Sequence, residues 1–77
     1  MNRNTRLYIT AFKELIDEVI RENINNPQRA KELIVNEVLM EAKKAFKQED
    51  YQEIKMYAVK RLIKLGFTAK ELERLIG

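Results

Sequence analysis

The sequence predicts an all-α fold: a compact bundle of three main helices with a short fourth helix at the C-terminal side. Apolar residues recur every three or four positions along most of the 77 residues, which is the spacing of an amphipathic helix. Only two glycines and one proline interrupt this pattern, and they stand where helices are expected to begin or end. The length suits one domain, so a single helical domain over residues 1–77 is predicted.

The first predicted helix covers residues 5–25, with Asn4 or Thr5 as its N-cap. A strand is the alternative at its start, where Leu7, Ile9 and Ala11 alternate with other side chains, as in the strand that opens a ribbon-helix-helix DNA-binding protein. The helical pattern extends much further than this alternation, so the helix is favoured. Its predicted apolar stripe consists of Tyr8, Phe12, Leu15, Ile16, Val19 and Ile20.

The second predicted helix covers residues 27–47 and begins at Asn26-Pro27, because asparagine caps a helix and proline suits its first position. Leu33 and Met40 stand apart from its main stripe. They are seven residues apart, so on a regular α-helix they lie one above the other on an otherwise polar side. The main stripe consists of Ile34, Val35, Val38, Leu39, Ala42, Ala45 and Phe46.

The third predicted helix covers residues 51–65 and the fourth covers residues 69–76. Asp50 and Glu53 have the spacing of a capping box at the start of the third helix. This helix is apolar on nearly every side, which predicts a central position in the bundle. Gly66 is expected to end it in the left-handed conformation, and Thr68 is expected to cap the fourth helix.

Composition excludes several kinds of functional site. The chain has no cysteine and no histidine, which excludes a disulfide, a zinc finger and a histidine base. It contains no glycine-rich phosphate loop and no nucleophile beside a base. The carboxylates of Glu14, Asp17 and Glu18 are interpreted as a solvated helix face rather than a cation site. We therefore predict no enzymatic activity, no cofactor and no metal.

The hydropathy pattern also argues against a membrane location. The longest apolar run has four residues, at positions 56–59, whereas a membrane span needs roughly 20. No apolar export segment follows the polar first residues, so a cytoplasmic protein is predicted. A composition rich in lysine, isoleucine, asparagine and glutamate favours an origin in an AT-rich bacterial or phage genome.

The leading functional hypothesis is a small, non-catalytic regulatory or adaptor protein that docks a helical face on another protein. Leu33 and Met40 are its candidate anchors, flanked by Glu37 and Lys44, because positions i and i+7 are typical of helix-in-groove contacts. The alternative is that the fourth helix or the amino-terminal arm covers this pair. Chains this small are often marginally stable alone, so a protein partner or a homodimer is expected. A self-assembling structural subunit is a third hypothesis.

The second hypothesis is a small nucleic-acid-binding regulator. Residues 1–42 carry six basic and seven acidic side chains, whereas residues 43–77 carry nine basic and five acidic ones. Several of these basic side chains could neutralise phosphates together. The segment Leu65-Gly66-Phe67-Thr68, with Leu72 and Leu75 behind it, resembles the turn of a helix-turn-helix unit; this implies a second helix directed at the major groove. An ordinary helix corner is the alternative. The candidate phosphate-binding residues are Lys60, Arg61, Lys64, Lys70 and Arg74.

Overall fold

The computed structural model describes residues 3–76 and confirms the all-α fold. Its helices are α1 (Arg3–Glu22), α2 (residues 27–45), α3 (Gln48–Lys64) and α4 (Ala69–Ile76). α1 packs against both α2 and α3, and α4 packs against α3. Within the described residues no strand is present, so the alternative of an opening strand is wrong.

Helix α2 contains an irregularity that the sequence analysis did not predict. Its two ends, Pro27–Leu33 and Leu39–Ala45, are α-helical, but Ile34–Val38 between them forms a π-helical turn. The amide of Leu39 donates a hydrogen bond to the carbonyl of Ile34, five residues earlier. A π turn accommodates one more residue than an α turn. The expected alignment of Leu33 with Met40 assumed a regular α-helix and is therefore wrong.

Two helices begin at the capping residues predicted from the sequence. The side chain of Asn26 accepts a hydrogen bond from the Arg29 amide at 3.2 Å, and Pro27 occupies the first helical position of α2. The hydroxyl of Thr68 accepts a hydrogen bond from the Glu71 amide at 3.1 Å and caps α4. These bonds satisfy amides that have no partner within the helix.

Gly66 ends α3 as predicted, with a φ angle of +115°. Its amide donates to the carbonyl of Ile63 at 2.9 Å, while the amide of Phe67 donates to the carbonyl of Leu62 at 3.2 Å. This pair of bonds is the Schellman arrangement that closes a helix. A β-carbon at position 66 would meet open space, so glycine is required by its backbone conformation and not by crowding.

The other predicted caps are wrong. Asn4 and Thr5 lie within α1, which is already helical at Arg3. Helix α3 begins at Gln48, so Asp50 lies inside its first turn, where the side chain is buried. The carboxylate of Glu53 is used in contacts with another helix instead of in a capping box.

A single hydrophobic core joins the four helices. On α1 it uses most of the predicted stripe, since Ile16 and Ile20 are buried and Phe12 and Val19 pack against the core, but it is centred on Ile9 instead of on Tyr8 and Leu15. Ile9, Ile16 and Ile20 are buried, whereas Tyr8 is 63% exposed and Leu15 is 41% exposed. The core also contains residues of the other three helices: Ala30, Ile34, Val38, Leu39, Ala42, Tyr51, Ile54, Ala58, Leu62 and Leu72.

Helix α3 is less enclosed than its composition predicted. One side is buried through Tyr51, Ile54, Ala58 and Leu62, but Met56 and Ile63 are exposed. Ala45, expected on the apolar stripe of α2, is also exposed. The helices α1, α2 and α4 all pack against α3, and Met56 and Ile63 lie on the side that none of them covers.

Polar side chains of α1 and α3 meet beside the core. The guanidinium of Arg6 makes two hydrogen bonds to the Glu53 carboxylate, at 2.7 and 2.8 Å, and Lys13 adds a third at 2.8 Å. The hydroxyl of Tyr57 donates to both carboxylate oxygens of Asp17, at 2.7 and 2.8 Å. We refer to these contacts as the α1–α3 polar seam.

Two pKa shifts follow from the polar seam. Hydrogen bonds from Arg6 and Lys13 stabilise the ionised carboxylate of Glu53 and lower its pKa from 4.5 to about 2. The hydrogen bond to Asp17 raises the pKa of Tyr57, because only the neutral phenol can donate it.

The lowered pKa of Glu53 predicts a pH-dependent contribution to stability. Because its pKa is depressed in the folded state, the stabilisation is fully present above pH 4.5 and is lost as the pH falls towards 2. The seam is partly solvated, so we expect Glu53→Gln to cost only about 1 kcal/mol at pH 7. Denaturant titrations should show the difference between wild type and variant shrinking below pH 4.5. A difference that does not change with pH would contradict the prediction.

Candidate functional site

An open groove of about 430 Å³ lies between α1 and α2. Five of its lining residues are apolar and two are acidic. We call this feature the α1–α2 groove, and it is lined by Phe12, Leu15, Val19, Leu33, Glu37, Val38 and Glu41.

Helix α1 forms the first wall through Phe12, Leu15 and Val19. These positions are separated by three and four residues, so they follow one side of the helix. The ring of Phe12 meets the ring of Phe46 edge to face, with centroids 5.3 Å apart, and this contact fixes the wall against the core. The three side chains were expected inside the core, yet they lie at its open edge.

The π turn of α2 shapes the second wall. Leu33 and Val38 both line the groove although they are five residues apart. On a regular α-helix, positions five apart differ by about 140° in direction. Within the π turn such positions share a face, because the amide of each residue bonds five residues back. The turn therefore adds Leu33 to the same apolar surface as Val38.

Only part of the predicted docking stripe belongs to the groove. Leu33 is half-buried and lines it, and so does the exposed Glu37. Met40 is exposed, and neither it nor Lys44 is among the described residues that line the groove. Half of the surface of Met40 is exposed, so no described segment of the chain buries it in the core.

The charges along the α1–α2 groove are negative. Glu37 and Glu41 lie one helical turn apart on its α2 side. Lys44 approaches Glu41 at 3.9 Å, but both side chains are about 70% exposed, so the pair is weak. Within residues 3–76, no basic side chain forms an ion pair with Glu37.

The predicted phosphate-binding residues have unequal environments. Arg61 is half-buried, and its Nε lies 3.0 Å from the Asp17 carboxylate, so it belongs to the polar seam. The others are exposed and form no ion pair within the described part of the chain. These are Lys60, Lys64, Lys70 and Arg74.

The corner between α3 and α4 contains the segment for which a helix-turn-helix turn was predicted. Gly66 supplies the left-handed residue, and Leu72 is fully buried behind it. Lys31 of α2 secures α4 from the other side: its ammonium lies 3.0 Å from the Glu71 carboxylate and 4.9 Å from the centre of the Phe67 ring. Helix α4 has eight residues, about two turns.

The three α1 carboxylates that were interpreted as a solvated face differ in their surroundings. Asp17 turns to Tyr57 and Arg61 on α3, while Glu14 and Glu18 stay exposed. Among the described residues, no group of three or more acidic side chains is placed to hold a metal ion. A search of the same residues finds no helix with the length and hydropathy needed to cross a membrane.

Comparison with known proteins gives no relative. No protein-family model, curated protein or solved structure matches the chain. Functional proposals for this protein therefore depend on the geometry and chemistry of its own residues.

Proposed function

We propose that this chain is a small, non-catalytic regulatory or adaptor protein that binds a helical segment of another protein in the α1–α2 groove. The observation that carries the proposal is the groove itself, in which five apolar side chains of two helices line one open surface. Open apolar surfaces of this kind on small proteins are frequently interaction sites.

The dimensions of the groove suit a helix. Phe12 and Val19 are seven residues apart on α1, which corresponds to roughly 10 Å along the helix axis. Two turns of a partner helix have the same length and present anchors at positions i, i+3 or i+4, and i+7. Leu15 lies near the middle of this wall and is 41% exposed. A bound partner helix would bury this exposed surface.

The proposal predicts that a single substitution in the groove removes partner binding. Leu15→Gln replaces an exposed anchor, and Met56→Gln is the matched control, because Met56 is 56% exposed on α3 and does not line the groove. Loss of a central apolar anchor commonly costs over 1 kcal/mol of binding, about a tenfold change in affinity. Immobilised proteins are incubated with bacterial lysate, with and without nuclease treatment, and captured proteins are quantified by mass spectrometry.

We expect wild type and Met56→Gln to retain the same proteins and Leu15→Gln to retain about tenfold less of them. Equal capture by all three would contradict the proposal. Capture that disappears after nuclease treatment would favour the second candidate function. A second copy of the chain is tested separately, by comparing the sedimentation of wild type with that of Leu15→Gln.

The second candidate function is nucleic-acid binding. It is supported by the four exposed basic side chains on α3 and α4 that have no ion pair in the described structure, and by the predicted resemblance of the corner to a helix-turn-helix unit. These side chains are spaced four apart within each helix: Lys60 and Lys64, Lys70 and Arg74.

This alternative predicts salt-dependent binding to duplex DNA. Changing Lys60, Lys64, Lys70 and Arg74 to glutamine should weaken binding by more than about tenfold at low salt, because each neutralised phosphate releases counterions. Arg61 is left unchanged, since it stabilises the contact with α1. Fluorescence anisotropy at about 50 mM salt measures the effect. No detectable binding by wild type would remove this function.

The place of action is part of the proposal. We propose a cytoplasmic location, which the polar sequence supports, and a bacterial or phage origin, which the lysine- and asparagine-rich composition supports. The choice of bacterial lysate in the capture experiment follows from this origin.

A further inference from the structure

We infer that the partner of the α1–α2 groove is a basic amphipathic helix, with an apolar stripe flanked by lysine or arginine side chains. This inference depends on the proposed function and names the chemistry of its partner. It is carried by the charges around the groove.

The α2 wall carries Glu37 and Glu41. On α1, helical spacing places two further glutamates next to Leu15, outside the residues that line the groove. Glu18 and Glu22 follow Leu15 by three and seven residues, so they lie beside it on the surface of α1. Both are exposed. A helix seated between the walls would therefore have carboxylates along both of its flanks.

This negative rim is opposite in sign to the protein as a whole. The chain has a net charge of +3, with 15 basic and 12 acidic residues. The residues that line the groove nevertheless include two glutamates and no lysine or arginine. A local negative charge favours basic partners and repels acidic ones. Such complementary charge affects mainly the choice of partner and the association rate.

A second copy of this chain fits the groove less well. In a two-fold symmetric dimer the same surface is used by both copies. Two facing grooves would then bring the glutamates of one rim, among them Glu37 and Glu41, towards those of the other rim. Like charges placed opposite each other oppose association. The observations thus favour a different protein as the occupant.

Two synthetic peptides test the inference. Both are about 16 residues long, or roughly four helical turns, and carry leucine at the same positions of one face. One has lysine at its polar positions and the other has glutamate. We expect the lysine peptide to bind wild type at least about tenfold more tightly, and this preference to shrink as salt rises and screens the exposed charges.

Charge reversal in the groove identifies the residues responsible. Glu37→Lys combined with Glu41→Lys should remove or reverse the preference for the lysine peptide. The control variant, Glu14→Lys with Glu49→Lys, changes the net charge by the same amount at exposed positions that do not line the groove. It should keep the preference. Circular dichroism verifies that both variants are folded.

The possible outcomes separate the inference from the proposed function. Equal binding of both peptides, tighter binding of the glutamate peptide or no binding of either would overturn the basic-helix inference. If the peptides bind but Leu15→Gln leaves their affinities unchanged, binding occurs outside the groove and the proposed function fails as well. If wild type sediments as a dimer that Leu15→Gln dissociates, the occupant is a second copy and the inference is wrong.

Discussion

Ile16→Ala should destabilise the protein by about 2–5 kcal/mol, whereas Leu15→Ala should cost about 1 kcal/mol or less. The two residues are adjacent in sequence, but Ile16 is fully buried in the core and Leu15 is 41% exposed in the groove. Truncating Ile16 removes buried methyl groups and leaves a cavity. Truncating Leu15 removes side-chain atoms that are partly in contact with water already.

The expected loss at Ile16 is large for a protein of this size. Domains are stabilised by about 0.05–0.15 kcal/mol per residue, so 77 residues correspond to roughly 4–11 kcal/mol. Each lost kcal/mol lowers the melting temperature of such a small domain by about 4–8 °C. Denaturant titration and thermal melts of both variants measure the difference. If Leu15→Ala cost as much as Ile16→Ala, the groove would be closed over Leu15 in solution.

The helices and several of their ends could be predicted from the sequence because local chemistry determines them. Asn26 followed by proline begins α2, Thr68 begins α4, and Gly66 ends α3, each through a hydrogen bond or a backbone conformation that its own residue type provides. Local chemistry did not predict the start of α3 correctly, as Asp50 shows. It has the spacing of a cap, yet tertiary packing starts the helix earlier and buries its side chain.

Apolar periodicity predicted Ile16 and Ile20 on the core side of α1, but not which edge of the stripe is buried. Ile9 and Leu15 are equally apolar, and the choice between them depends on residues of a different helix. Arg6 and Lys13 on α1 bind Glu53, which is 40 or more positions away in the sequence. These contacts lie along one edge of α1, and Phe12, Leu15 and Val19 at the opposite edge form a wall of the groove.

The π turn could not be predicted from the sequence, in which Ile34 to Phe46 fit one regular stripe, but its effect is visible at the two ends of the buried side. In the first half of α2 the buried side includes Ala30 and Ile34, and in the second half it includes Leu39 and Ala42. On a regular α-helix the mean directions of these two pairs would differ by about 130°. Omitting one residue between them reduces the difference to about 30°. A shift in apolar phase within one continuous helix therefore indicates an extra residue, which the π turn accommodates.

This interpretation predicts that α2 tolerates a deletion that α1 does not. Asn36 is exposed in the middle of the π turn. Its removal should let Ile34–Val38 become α-helical while both halves of α2 keep their apolar sides on the core, at a cost of about 1 kcal/mol. The control is deletion of Glu14, which is also exposed and lies within the regular helix α1.

Deleting Glu14 should rotate Ile16 and Ile20 by about 100° relative to Ile9, because no extra residue is present in α1 to absorb the change. Two buried isoleucines would then leave the core, and a loss of about 2–5 kcal/mol at each is together comparable with the whole stability of the domain. Thermal melts followed by circular dichroism should show a cooperative transition for the Asn36 deletion and none, or one at a far lower temperature, for the Glu14 deletion. If the two deletions destabilise the protein equally, the interpretation is wrong. The π turn between Leu33 and Leu39 would then be required by the core and would not simply accommodate an extra residue.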